Sequence, residues 1–337
     1  MISRERVRKA IHCGGPDRIP HCLPDDGHDD LISVWKPGLP PREDWWNEGD
    51  RDYMRDTYGA LRYRAADGEL GFGEVMEPPI TDITEQAEYE MPDFNDPDLY
   101  ERHRNVVNEN EASDDPKYCL GALGHHRIFA DAHHMVGLQN LMMEFYQHPD
   151  HVHALLDRLA EAQCESLRLL HEIGFDGVMG YDDWGVQDSL LIGPDLIEES
   201  FLPRYEKVWG LAHDLGMDVW LHTCGYTIEI LPKFAEVGLN VAQLDQQMNM
   251  GLENLAEQLG GKLAFWCPPD IQRIMVDTTP ERVEAYVKRM IETLGGFNGG
   301  FVSKTYPTPD DVNHKPEIVA AACEAFRKYE ECWKERN

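Results

Sequence analysis

His222, Thr223 and Cys224 set an imidazole and a thiol two residues apart, inside the stretch WLHTCGYT (220–227). In an extended chain residues i and i+2 point to the same face, so the two side chains can reach one metal ion. Three other short apolar runs end in groups of related chemistry: Tyr181-Asp182-Asp183-Trp184, Asp245-Gln246-Gln247 and Cys267-Pro268. His222, Cys224, Cys267 and Asp245 together make a Zn2+ ligand set, with the carboxylate or a water as the exchangeable fourth partner. Each has a plainer reading. His222 and Cys224 can be a buried histidine beside a core cysteine, Asp245 can cap the next helix, and Cys267 can be a small residue in a tight turn before two prolines.

Asp182 and Asp183 are adjacent on a strand end and so point apart, which argues against a paired acid and base. Asp183 and Tyr181 are the catalytic candidates there, while Asp182 or Trp184 can pack instead. Trp184, Gln187 and Trp266 are candidates for substrate contact; for Gln187 the competing role is a solvated loop residue, and for the acidic pair it is helix capping. The histidine-rich GHHRIFADAHHM (124–135) lacks the HExxH spacing of a metalloprotease helix. Its histidines read as hydrogen-bonded or solvent-facing, with His125 and His126 kept as substrate-contact candidates.

The elements that must carry these residues alternate. Strands are predicted near 18–23, 118–124, 176–183, 217–225, 240–245, 263–268 and 301–306, and helices over 149–173, 194–215, 228–237, 251–259 and 279–294. Glycines follow several helices, as in HEIGFDG, HDLGMD and AEVGLN, where a helix end needs a left-handed residue. Repeated βα units in one chain favour a (β/α)8 barrel, with residues 1–337 as one domain and chemistry at the C-terminal strand ends. An eighth strand is not evident; the region 57–75 holds either it or an added hairpin, within an elaborated N-terminal region over 24–115.

The 62 acidic residues outnumber 31 basic ones and are scattered along the chain, for a net charge of -31, which argues against nucleic acid as a partner. No apolar run approaches the ~20 residues of a membrane span, and the charged start MISRERVRKAIHCGGPDRIP does not resemble a secretory signal. A cytoplasmic protein with reduced thiols is expected, so the eight cysteines read as core residues or ligands rather than a disulfide framework. Apolar helices on the barrel exterior leave room for a homodimer.

The segments SRERVRKAIHCGGPDRIP (3–20), FDGVMGYDDWGVQDSLLIGPDLIEESFLPRYEKV (175–208) and GMDVWLHTCGYTIEILPKFAEVGLNVAQLD (216–245) resemble the uroporphyrinogen decarboxylase superfamily, and within it the cobalamin-linked methyltransferase branch. The resemblance implies a (β/α)8 barrel, zinc on His222 and Cys224, and a corrinoid carried by a partner protein. In that branch a third ligand is usually a cysteine at the end of the last strand. Here the place reads Ser303-Lys304-Thr305-Tyr306, so Cys267 and Asp245 are the replacements. The decarboxylases' arginine-rich RQAGRY element is absent, and the corresponding region, HCLPDDGHDD (21–30), is acidic and would repel a polycarboxylate.

The expected function is therefore a zinc-dependent methyltransferase moving a methyl group between a corrinoid protein and a thiol or a small methoxy or methylamine compound. One alternative is a metal-free decarboxylase or lyase that uses Asp183 and a histidine. The other is a non-catalytic metal-binding protein.

Overall fold

The computed structural model describes residues 1–23, 29–35, 41–66, 73–123, 127–306, 308 and 312–336. Helix α1 (Ser3–Ile11) is followed by strand β1 (Leu31–Val34), then by an antiparallel sheet of β2 (Glu43–Glu48), β3 (Arg51–Arg55), β4 (Leu61–Ala65) and β5 (Glu74–Glu77). From α2 (Glu101–Glu111) onward strands and helices alternate: β6 (Tyr118–Ala122), α3 (Ile128–Val136), α4 (Leu138–Gln147), α5 (Pro149–Ile173), β7 (Gly177–Tyr181), α6 (Pro194–Ser200), α7 (Leu202–Asp214) and β8 (Asp218–His222). The series ends with α8 (Leu231–Glu236), β9 (Val241–Gln243), α9 (Leu252–Leu259), β10 (Ala264–Cys267), α10 (Pro280–Leu294), β11 (Phe301–Ser303) and α11 (Pro316–Lys328).

Seven parallel strands pair in the order β1-β6-β7-β8-β9-β10-β11. The segment 20–22 joins the two edges: Cys22 N–H donates to Ser303, Ser303 N–H to Pro20 and Thr305 N–H to Cys22, while Asp30 N–H, just ahead of β1, donates to His21. The sheet thus curls into the expected (β/α)8-type barrel. The strand missing from the sequence reading is β1, only four residues long. The region 57–75 supplies hairpin strands of the antiparallel sheet instead, which is the elaboration of the N-terminal region.

Alternation of side chains sorts the core into two layers. Leu31, Leu120, Met179, Trp220, Val241, Ala264, Trp266 and Val302 point into the barrel, and Val7 and Ile11 of α1 pack against them from below. The opposite faces, with Cys119, Val178, Leu221, Ala242, Phe265 and Phe301, pack under the helices. Helix α1 is held across the barrel floor by Arg4 and Arg8 on Asp176 (3.1 and 2.7 Å) and by His12 on Asp218 (2.8 Å). With the floor filled, the open end lies at the C-terminal ends of the strands. Where a continuous helix is predicted over 194–215, the chain breaks at Phe201, ahead of Pro203, whose ring cannot continue the preceding turn.

Candidate metal centre

Strands β7 and β8 are parallel neighbours with Tyr181 opposite His222. Met179 and Tyr181 face the lumen from β7, so two residues further Asp183 does so too; on β8, Trp220 and His222 place Cys224 likewise. Beyond the ladder the two chains stay together. Trp184 N–H donates to the Thr223 hydroxyl (3.1 Å), Gly185 N–H to Cys224 C=O (3.2 Å) and Tyr226 N–H to Val186 C=O (2.8 Å). Contact this close needs glycine on both sides. Gly225 has φ +79, and a Cβ there would lie 2.4 Å from the Gly185 carbonyl carbon.

That crossing brings Asp183, His222 and Cys224 together, with one ligand atom of each inside 4.8 Å. His222 Nε2 stands 3.5 Å from Asp183 Oδ1 and 3.4 Å from Cys224 Sγ. Donors of a tetrahedral zinc at its usual bond lengths stand about 3.3–3.8 Å apart. Cys224 N–H also donates to Asp183 Oδ1 (2.9 Å), which fixes the carboxylate over the thiol. The Asp183 side chain is exposed whereas His222 and Cys224 are partly buried, so the trio faces the mouth. Its composition and spacing fit a three-ligand zinc site with one open position. Burial, then the charges of Asp183 and Asp245, push the Cys224 thiol well up, so a metal held there displaces a proton.

The other two expected ligands are not brought to the trio. Cys267 lies on the opposite face of its strand from Ala264 and Trp266, fully buried under the helices, and burial pushes its thiol up to about 12. Asp245 faces the lumen, but behind the imidazole, with Oδ2 3.9 Å from His222 Nδ1. It accepts hydrogen bonds from Gln243 Nε2 (2.6 Å), Lys304 Nζ (3.4 Å) and the Tyr306 hydroxyl. Burial pulls this carboxyl upward, yet Lys304, His222, Tyr306 and Gln243 prevail and hold it below the usual range.

Tyr181 lines the lumen beside His222, ring centres 5.8 Å apart, and Trp35, half exposed, packs against Tyr181 at 5.4 Å. Trp266 sits deeper, edge-on to Trp220 at 5.4 Å and beneath the Lys304 ammonium. Gln187 is at the rim, where it bonds Gln272 (3.2 Å) and Asn249 (3.4 Å) and so links two mouth loops. Trp184, expected at the mouth, is instead fully buried, stacked on Phe129 at 4.5 Å, because Asp183 takes the lumen side of the chain. Asp182 points outward on the same side as Trp184: it accepts from Phe129 and Ala130 N–H (3.3 and 2.8 Å) and from the Tyr205 hydroxyl, capping α3 from a distance. His125 and His126 lie outside the described residues; His133 and His134 fall on α3, ring against ring at 4.3 Å. Gln243, Lys304, Tyr306 and Trp35 are the site residues that sequence reasoning missed. Alternation from Val241 and Val302 signals the first two; nothing local signals Trp35.

A barrel whose floor is plugged and whose strand ends gather an imidazole, a thiol and a carboxylate belongs to the class of (β/α)8 proteins that use the mouth as their working end. The uroporphyrinogen decarboxylase family model matches residues 75–328, and the chain belongs to that family. It is 25% identical over 189 residues to the uroporphyrinogen decarboxylase of Pseudoalteromonas translucida, covering 55% of this chain and 50% of that protein. It is 28% identical over 164 residues to the methylcobamide:CoM methyltransferase MtbA of Methanosarcina mazei, covering 46% and 45%. The chain thus aligns with about half the length of the curated relatives it matches. Its fold matches the solved structure of a methyltransferase from Methanosarcina mazei with TM-score 0.66 at 15% identity, over 98% of this chain and 99% of that one. Among the described residues no helix is long and apolar enough to cross a membrane.

Proposed function

We propose that the protein is a zinc-dependent methyltransferase that moves a methyl group between a corrinoid carried by a partner protein and a small acceptor or donor, a thiol or a methoxy or methylamine compound. The observation that carries this reading is the convergence of His222 Nε2, Cys224 Sγ and Asp183 Oδ1 on one point at the barrel mouth. Kinship with MtbA supports it, as does the fold shared with a methyltransferase. Zinc, when bound, supplies a Lewis acid with one open position.

The residues around the trio have separable tasks. A methyl group leaves a heteroatom as a cation equivalent, the heteroatom keeping the bonding pair, so the site must accept negative charge at that atom. Tyr181 and Trp35 make a wall beside His222, which offers flat apolar area against which a small substrate can be oriented. Lys304, buried over the Trp266 and Tyr306 rings (5.4 and 4.0 Å), places a cation on the lumen wall but directs it to Asp245.

The test is metal content of protein purified without chelator, followed by methyl transfer to a reduced corrinoid, read from its visible spectrum. About one zinc per chain and zinc-dependent methylation are expected. A metal-free decarboxylase is the rival, favoured by the decarboxylase relatives, with Asp183 stabilising positive charge beside His222. Folded, zinc-free protein that releases CO2 from a carboxylated substrate would replace the first reading with the second.

A further inference from the structure

The polar atoms behind His222 leave its tautomer no choice. The Asp245 carboxylate is almost fully buried and its two oxygens face the Lys304 ammonium (3.4 Å) and the Tyr306 hydroxyl, both donors, so it serves as an acceptor. The amide nitrogen of Gln243 must therefore face Asp245, at 2.6 Å, which turns Gln243 Oε1 toward the imidazole. That oxygen meets His222 Nδ1, and an oxygen acceptor there requires the proton to be on Nδ1. Nε2 is left as a bare lone pair, and it is the nitrogen that faces Cys224 Sγ and Asp183 Oδ1. The far end of the chain of bonds is anchored by the last strand, through Lys304 Nζ at 3.4 Å and the Tyr306 hydroxyl, both on Asp245.

We propose that Gln243 and Asp245 are positioning residues for the metal ligand His222, and that Lys304 and Tyr306 act through them. This rests on the zinc reading above. The carboxylate expected as a ligand serves instead one step behind the ligand: it orients an amide, the amide orients the ring, and the ring presents one nitrogen. The last strand, which carries no cysteine here, contributes to the site through this relay. Polar partners behind a ligating histidine fix ring orientation and raise its basicity, and their loss weakens metal binding.

The experiment measures Zn2+ affinity by competition with a chromogenic chelator, and the visible spectrum of the Co2+-loaded protein, for full-length wild type and variants, with thermal unfolding run on each. Gln243→Met keeps length and removes both hydrogen bonds; its zinc affinity is expected to fall about 10- to 100-fold at unchanged stoichiometry, with a shifted Co2+ spectrum. The paired change Gln243→Glu with Asp245→Asn moves the carboxylate one link closer while keeping every donor opposite an acceptor between His222 and position 245. It is expected to recover affinity to within about threefold of wild type, which a packing role would not do. Tyr306→Phe, which removes a single hydroxyl from Asp245, is expected to lose up to about tenfold and serves if Gln243→Met does not fold. Wild-type affinity in Gln243→Met, or no recovery in the paired variant, overturns the relay while leaving the zinc reading in place. Wild type that binds no zinc overturns the zinc reading itself.

Discussion

Replacing two cysteines separately tests the placement of the metal centre. Cys224 Sγ lies 3.4 Å from His222 Nε2, whereas Cys267 is fully buried on the outer face of β10. Cys224→Ser exchanges a thiolate donor for a poorly ionised hydroxyl, and zinc affinity is expected to fall by more than about a hundredfold, beyond the range of changes behind a ligand. Cys267→Ser should leave about one zinc per chain and an unchanged dissociation constant. Its effect is on stability, because a hydroxyl enters a site built for a thiol, at a cost of about 1–3 kcal/mol. For a chain of this length the unfolding entropy is about 0.7 kcal/mol/K, so the midpoint should drop by roughly 1.5–4 °C. Elemental analysis, chelator competition and a thermal melt on the same preparations read all three quantities. Loss of zinc from Cys267→Ser with its fold intact would show that the thiol reaches the lumen and that the site drawn here is wrong.

Three further outcomes follow from the same geometry. Burial pushes the Asp182 carboxyl up to about 6, above its unfolded value of about 3.9, so the folded state binds this proton more tightly. Its contribution is therefore greatest below pH 4 and declines by about 3 kcal/mol as pH rises from 4 through 6, a decline that urea titrations should show in wild type and not in Asp182→Asn. Gly225→Ala forces a Cβ onto the Gly185 carbonyl at positive φ; it should destabilise the protein by more than about 2 kcal/mol and weaken zinc binding, and a variant indistinguishable from wild type would contradict the crossing. Trp184→Ala should cost about 3–5 kcal/mol as a core deletion, whereas Trp35→Ala should change stability by no more than about 0.5 kcal/mol and raise KM; the reverse pattern would restore Trp184 to the mouth.

Much of the site is written locally. Strand side chains alternate with period two, so the run 218–224 by itself puts His222 and Cys224 on one face, and 177–183 puts Tyr181 and Asp183 on another common face. Glycines after helices and the repeated βα pattern carry the barrel class in the same local way. Alternation does not say which face is inward. Trp266 and Cys267 are chain neighbours and cannot both line the lumen; packing of Trp266 against Trp220 decides it and sends Cys267 outward. Asp182 and Asp183 pose the same choice, settled by the buried N-terminus of α3, which takes Asp182 as its cap. Strand β1 is too short to announce itself, and is a strand because Leu31–Val34 finds β6. Asp183 becomes a metal-ligand candidate only because two glycines let the ends of β7 and β8 touch, and Asp245 becomes a support because Lys304 and Tyr306, some sixty residues away (|i−j| 59 and 61), close around it. Local alternation settles which residues share a face. Long-range packing, where a residue's surroundings come from distant parts of the chain, settles which face meets the substrate and which stands behind it.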